Sequence, residues 1–157
     1  MSTSESGFDP SRVLNDGNDA GIGRLTEHLG IAQAIAGLLA AFPLHAARRQ
    51  LYMPLEVLQR HGVDAEAVFS GRTKTELRAA LADMRRLARR HLSEAKSLLA
   101  AAPPAVLPAL LPAGLICPML DRMEGRGYDP FRPVALAPWR RPWIIWRTAR
   151  KGLERVL

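Results

Sequence analysis

The stretch Leu29-Gly-Ile-Ala-Gln-Ala-Ile-Ala-Gly-Leu-Leu-Ala-Ala-Phe-Pro-Leu44 decides the fold. With Leu25 ahead of it, Leu29, Ala32, Ala36 and Leu39 recur at steps of three and four, the period of one helix face. The run is apolar nearly all round, the pattern of a helix at the centre of a bundle. It is 16 residues long and contains Gln33; a second apolar run, Ala105 to Leu120, is also 16 residues and contains Pro108, Pro112 and Pro118. A bilayer span needs roughly 20 apolar residues, so both runs read as buried helices and no transmembrane span is expected. Pro43 disfavours α geometry in the residue before it, which predicts a helix from about Ile22 to near Phe42.

Downstream, Leu44 to Pro54 is a basic connection of weak period. Pro54 suits the first turn of a short helix, Leu55 to Arg60, and Gly62 suits its C-terminal cap. Thr73 and Glu76 have capping-box spacing. Leu77, Leu81, Met84, Ala88, His91, Ala95 and Leu98 then form one stripe, with Arg78, Arg85, Arg89 and Lys96 off it. That helix can run to Ala102, where Pro103-Pro104 stops it, and the prolines that follow break or kink the next helix. Gly125 to Pro133 is a turn-rich linker, and a last helix runs from about Pro138 to the end. No alternating run of strand length occurs, so the fold class is an all-α helical bundle. Residues 1–21, rich in Ser, Asp, Asn and Gly with a loop signal at Asp16-Gly-Asn-Asp19, read as a disordered or remnant N-terminal segment; 22–157 form the helical domain.

The 157 residues suit one domain. Lys+Arg 22 against Asp+Glu 15 gives a net charge of +7, and all but Lys74, Lys96 and Lys151 of the basic residues are Arg. This balance favours an acidic partner without choosing one. One cysteine excludes an internal disulfide framework and a Cys-rich metal site. No P-loop, Ser-His-Asp or Cys-His signature is present, and four scattered histidines form no metal cluster. Cys117 lies in an apolar run and reads as an inert buried thiol. His91 reads as a hydrogen-bonded core histidine, and Asp83 and Glu94 are too far apart on one helix to share a metal. The N-terminus is no secretory signal. A cytoplasmic chain is expected, peripheral on the inner (cytoplasmic) membrane at most.

Charge is unevenly placed. No acid occurs between Glu27 and Glu56, while His45, Arg48 and Arg49 lie there, followed by Tyr52. These residues are candidates for binding an anion, because Arg forks match phosphate and carboxylate geometry. On composition alone a solvated basic loop comes ahead of that reading. Trp139, Trp143 and Trp146 share one face of the last helix among Arg140, Arg141, Arg147, Arg150 and Lys151. Such a helix can rest in a membrane interface or contact a partner. It can equally dock on the bundle, the commoner outcome; nucleic acid ranks third, since no recognition motif accompanies the charge.

The Leu29–Leu39 run and then Arg48-Arg-Gln-Leu-Tyr-Met-Pro54 resemble the squalene/phytoene synthase family, as do His61-Gly-Val63, Leu110-Leu-Pro-Ala113 and Gly127-Tyr-Asp-Pro-Phe131 in order and spacing. The resemblance covers roughly residues 25–150 and implies the C-terminal half of an isoprenoid-synthase-like fold. In that family the first helix carries paired aspartates, Asp-x-x-x-Asp, that hold Mg²⁺ against the substrate diphosphate. Here the matching positions are Ala41 and His45. Mg²⁺ requires hard oxygen ligands, so these degenerate positions imply no metal, no cofactor and no catalytic residue. Pro43-Leu-His45-Ala-Ala-Arg48-Arg49 is similar to the family's complex I assembly branch. That implies a membrane-associated assembly or isoprenoid- and lipid-binding pseudoenzyme, in which His45, Arg48, Arg49 and Tyr52 are the candidates for binding a diphosphate. Its expected partners are respiratory complex I subunits or another protein chain, anionic lipid or prenyl diphosphate, and a second copy of the chain as a homodimer. The alternative is an active farnesyl- or geranylgeranyl-diphosphate transferase using Mg²⁺, or a truncated fragment of one.

Overall fold

The structure, a computed structural model, describes residues 16–71, 74–134 and 136–157. The described residues contain no strand, so the all-α reading holds. The order is α1 (Asp16–Ala47), α2 (Leu55–Arg60), α3 (Ala65–Phe69), α4 (Lys74–Leu99), α5 (Leu107–Leu110), α6 (Ile116–Glu124) and α7 (Arg140–Lys151). Short 3₁₀ turns occupy Pro104–Val106, Leu111–Leu115 and Leu153–Arg155.

The core is the seam between α1 and α4. On α1, Leu25, Leu29, Ala32, Ala36 and Leu39 are all buried, as their period predicts, and the stripe continues through Phe42 and Ala46. On α4 the buried stripe is Leu77, Leu81, Met84, Ala88, Leu92, Ala95 and Leu99. Leu92 and Leu99 therefore take the places expected for His91 and Leu98. His91 is half-buried at the seam's edge, where its Nδ1 lies 2.9 Å from Nδ1 of His28 on α1, one ring donating and the other accepting. Burial, helped by His28 and Arg90, holds His91 below the ordinary histidine range.

Several boundaries differ from the sequence reading. Helix α1 starts at Asp16, so the loop signal at 16–19 and the segment up to residue 21 are helical; residues 1–15 lie outside the described residues. Once Leu25 and Leu29 are docked, each further helical residue adds a hydrogen bond at small entropic cost. The helix also passes through Pro43. An interior proline costs about 3 kcal/mol, and burying Phe42 at about 1.5–3 kcal/mol, with Ala46 beyond it, offsets that loss. The resulting Asp19–Ala47 segment, and also Pro104–Glu124, is long and apolar enough to cross a membrane by length and composition alone, a test that a buried core helix also passes. In the structure one stripe of α1 packs on α4.

Helix α2 has the expected bounds, with Pro54 just outside as its N-cap and Gly62 left-handed after it. Helix α3 was not expected; its sequence signal is Asp64, whose side chain caps it by accepting from the Ala67 amide at 2.6 Å. The capping residue Thr73 lies outside the described residues. Helix α4 stops at Leu99, and Ala101 and Ala102 close tighter turns onto Leu98 and Leu99. Pro103 disfavours α geometry at Ala102. Arg85, expected off the stripe, is 8% exposed. Its guanidinium lies over the Tyr128 ring at 5.3 Å, while its Nη1 has no hydrogen-bond partner. Cys117 is buried as expected, and burial pushes its thiol up.

The last helix spans Arg140–Lys151 rather than continuing to the end, because Gly152 adopts φ 86° and Leu153 turns back into the core. Helix α7 docks on the Leu111–Leu115 turn through Ile144 and Thr148. The approach is close at Gly114: a Cβ there would land on the Thr148 hydroxyl.

Gly114→Ala should therefore lower stability by about 1–3 kcal/mol, the usual range for overpacking, and Thr148→Ala in the same chain should recover part of it. Urea denaturation followed by circular dichroism checks this; an unperturbed single variant refutes the contact. A second expectation concerns acid. The unfolded chain titrates His91 near its ordinary value of 6.5, and the fold holds it lower. Its stabilising contribution is complete above pH 6.5 and is lost as pH falls through the folded value. Denaturation midpoints should fall below pH 6.5, and His91→Leu should flatten that slope.

Candidate functional site

The end of α1 brings together the residues expected to carry function. Ala41 and His45 are one helical step of four apart and both half-buried on the same side. The His45 ring meets the edge of Tyr52, centroids 4.7 Å apart. Leu44, Tyr52 and Leu55 are all more than half exposed, giving this corner an apolar surface beside its charges.

The turn itself is built by hydrogen bonds. The Gln50 amide donates to the His45 carbonyl at 2.9 Å and the Arg49 amide to the Ala46 carbonyl at 3.0 Å. This pair of bonds is the Schellman ending, whose left-handed position favours glycine. Arg49 occupies that position at φ 54°. Its side chain turns to α3, where it meets Glu66 at 2.6 Å and lies over the Phe69 ring at 5.0 Å. The structure thus sets His45 against Tyr52, commits Arg49 to Glu66, and leaves Arg48 exposed with no ion pair among the described residues. The sequence pattern did not reveal Arg49's commitment; the nearest signal is a missing glycine where the helix must end.

The residues at positions 41 and 45 do not fit Mg²⁺. Alanine offers no ligand, and a single imidazole is a poor substitute for oxygen donors. Among the described residues no three His, Cys, Asp or Glu side chains converge to hold a metal.

A second surface lies on α7. Trp139 is 69%, Trp143 49% and Trp146 55% exposed. Arg140 lies over Trp139 at 5.6 Å, Arg147 over Trp143 at 5.5 Å and Arg150 over Trp146 at 5.0 Å. Docking on the bundle, the commoner outcome expected for this helix, does occur, but Ile144 and Thr148 do it. The tryptophans remain on the outer face, each paired with a cation. Elsewhere Arg89 joins α4 to α6 through Asp121 and Glu124. Burial pulls its pKa down, but the two carboxylates outweigh that and hold it above the ordinary value.

Comparison with known proteins gives a consistent pattern. The sequence model of the squalene/phytoene synthase family matches residues 11–147. The chain is similar to the NADH dehydrogenase (ubiquinone) complex I, assembly factor 6 of Mus musculus, 31% identical over 106 residues, covering 68% of this chain and 32% of that protein. It is also similar to the Homo sapiens protein of the same name, 29% identical over the same coverage. To the assembly factor 6 homolog of Drosophila melanogaster it is 34% identical over 98 residues, 62% of this chain and 29% of that one. The chain thus spans about a third of the length of these relatives. No solved structure matches it.

The left-handed arginine yields a test of the turn. Arg49→Ala keeps a strained backbone, worth about 1–2 kcal/mol, and loses an exposed ion pair worth about 0.2–1 kcal/mol. Arg49→Gly relieves the strain. The glycine variant should be more stable than the alanine variant by about 1 kcal/mol in urea; the reverse order would remove the account of this turn.

Proposed function

The chain belongs to the squalene/phytoene synthase family, and from that premise we propose that it is a catalytically degenerate member, an assembly or lipid-binding factor at a membrane surface beside respiratory complex I. The observation that carries this reading is that Ala41 and His45, the positions that the family resemblance matches to its carboxylate pair, lie half-buried on one side of α1. Ionisation of a diphosphate leaving group needs its charge neutralised, and without Mg²⁺ ligands the site lacks the means the family uses. The names of the similar proteins support the assembly role. Respiratory complex I subunits are the proposed protein partners.

The membrane component rests on two features. Trp139, Trp143 and Trp146 offer amphipathic rings suited to an interface, and their arginines suit anionic headgroups. The second anionic contact is the corner of His45, Arg48 and Tyr52, with Arg49 available only if it leaves Glu66. A prenyl diphosphate or an anionic lipid suits that corner's mix of Leu44, Tyr52 and Leu55 with cations.

Purified protein incubated with Mg²⁺ and farnesyl or geranylgeranyl diphosphate should release no pyrophosphate; steady release would establish the prenyltransferase instead. The same protein should bind anionic vesicles with a blue shift in tryptophan emission that salt weakens. No shift at low salt would remove the membrane surface from the proposal.

A further inference from the structure

A cleft of about 490 Å³ opens between α2 and α4, lined by no residue of the α1 corner or of α7. Its floor is Val57, Met84 and Leu87, and its walls are Arg60, Arg86, Arg90 and the single acid Asp83. None of His45, Arg48, Arg49 and Tyr52 lines it.

Asp83 is already shared. His61 Nε2 lies 2.9 Å from its Oδ2, Arg86 bonds its Oδ1, and Arg60 stands 3.9 Å from Oδ2. The His61 hydrogen bond, against the opposing effect of burial, keeps this carboxyl below its ordinary value, with Arg86 assisting. It is therefore ionised at neutral pH and serves to gather the cations. Arg90 lies one helical step of four beyond Arg86, hence beside it on α4, and makes no ion pair among the described residues. Three guanidinium groups face one carboxylate, so the walls keep two positive charges in excess over an apolar floor.

That excess selects the ligand. A carboxylate would neutralise one charge, whereas a phosphomonoester carries about −1.5 to −2 at pH 7 and offers three acceptor oxygens. Arginine forks match those oxygens geometrically. The floor accepts a short alkyl or similar apolar substituent, and the cleft lies in the range of about 300–1,000 Å³ common to small-ligand sites. We propose that this cleft binds a phosphomonoester carrying an apolar group, through Arg60, Arg86 and Arg90 above Val57, Met84 and Leu87. The phosphate can belong to a soluble ester or to a lipid headgroup such as phosphatidic acid.

The test uses the whole chain, hexyl phosphate as the soluble probe, and vesicles of phosphatidic acid or, as an anionic phosphodiester control, of phosphatidylglycerol. The variants are Arg86→Gln with Arg90→Gln, and separately Arg48→Ala. Arg86 and Arg90 are exposed and Asp83 keeps His61, so the double variant should fold, which circular dichroism confirms. Loss of two charge-assisted hydrogen bonds should weaken binding at least about tenfold. Saturable hexyl phosphate binding weakened in the double variant, but not in Arg48→Ala, supports the cleft and a soluble ester. No hexyl phosphate binding, but tighter binding to phosphatidic acid than to phosphatidylglycerol vesicles, a preference that the double variant loses, supports the cleft and a lipid source. Hexyl phosphate binding or a phosphatidic acid preference that the double variant leaves unchanged, or the absence of both in the original chain, overturns it. Loss confined to Arg48→Ala overturns the cleft while favouring the α1 corner, so the two sites fail separately.

Discussion

The structure depends on the close packing of α1 against α4. Both helices present alanine at full burial, Ala32 and Ala36 on one and Ala80, Ala88 and Ala95 on the other, between larger Leu and Met residues. Small residues at alternate levels let the two backbones approach while the leucines interdigitate. Everything else is attached to this pair. Helix α2 rests on α4, and α3 and α6 rest on α1. The proline-broken stretch from residue 104 to 115 carries α7. The Tyr128–Phe131 turn closes one end, where Phe131 meets Phe42 with ring centroids 6.0 Å apart. That contact is one reason α1 continues past the point at which Pro43 would otherwise end it.

The excess of arginine has several separate uses. Arg89 is a tie between helices, holding Asp121 and Glu124 from α4. Arg85 is a core residue, its guanidinium carbon over the Tyr128 ring, and Arg78 donates to the Arg126 carbonyl at 3.4 Å. These three lie on one side of α4 and hold α6 and the turn after it. Arg86 and Arg90 lie on another side, Arg48 stands at the end of α1, and the α7 arginines cover tryptophan. Net charge is therefore a poor guide to function until the structural cations are set aside. Lysine would not substitute at Arg89, where the use is a fork between two acids.

Much of the fold was legible in the sequence. The apolar period of α1 and α4 is strong because a buried stripe constrains every third or fourth residue, and helix α2 follows from Pro54 and Gly62. What failed was local. Proline and glycine punctuation predicts chain breaks from backbone preference alone, whereas Phe42 and Ala46 override it through tertiary burial. A five-residue helix such as α3 leaves almost no periodic signal. In the candidate site, the positions of Ala41 and His45 were readable, but the partners of Arg49 were not. Glu66 is 17 residues away and reaches it only because α3 folds back. The exposure of the tryptophans was also hidden, since a face bearing three indoles and five cations reads the same whether docked or free. Ile144 and Thr148 decide between those outcomes by fitting against the Gly114 turn.

These local details change what the end of α1 means. Here His45 rests on Tyr52, Ala41 is half-buried, and Arg49 accepts an unfavourable backbone angle in order to reach Glu66 and Phe69. Two of the four candidate side chains are thus engaged with one another, and a third with a neighbouring helix. The corner is a protein surface on which, of those four, Arg48 alone is a cation with no ion pair or ring contact among the described residues. Such a surface suits contact with a partner or a headgroup, where moderate affinity over an exposed area suffices. It suits ionisation of a diphosphate poorly, because that chemistry needs preorganised charge concentrated at one point.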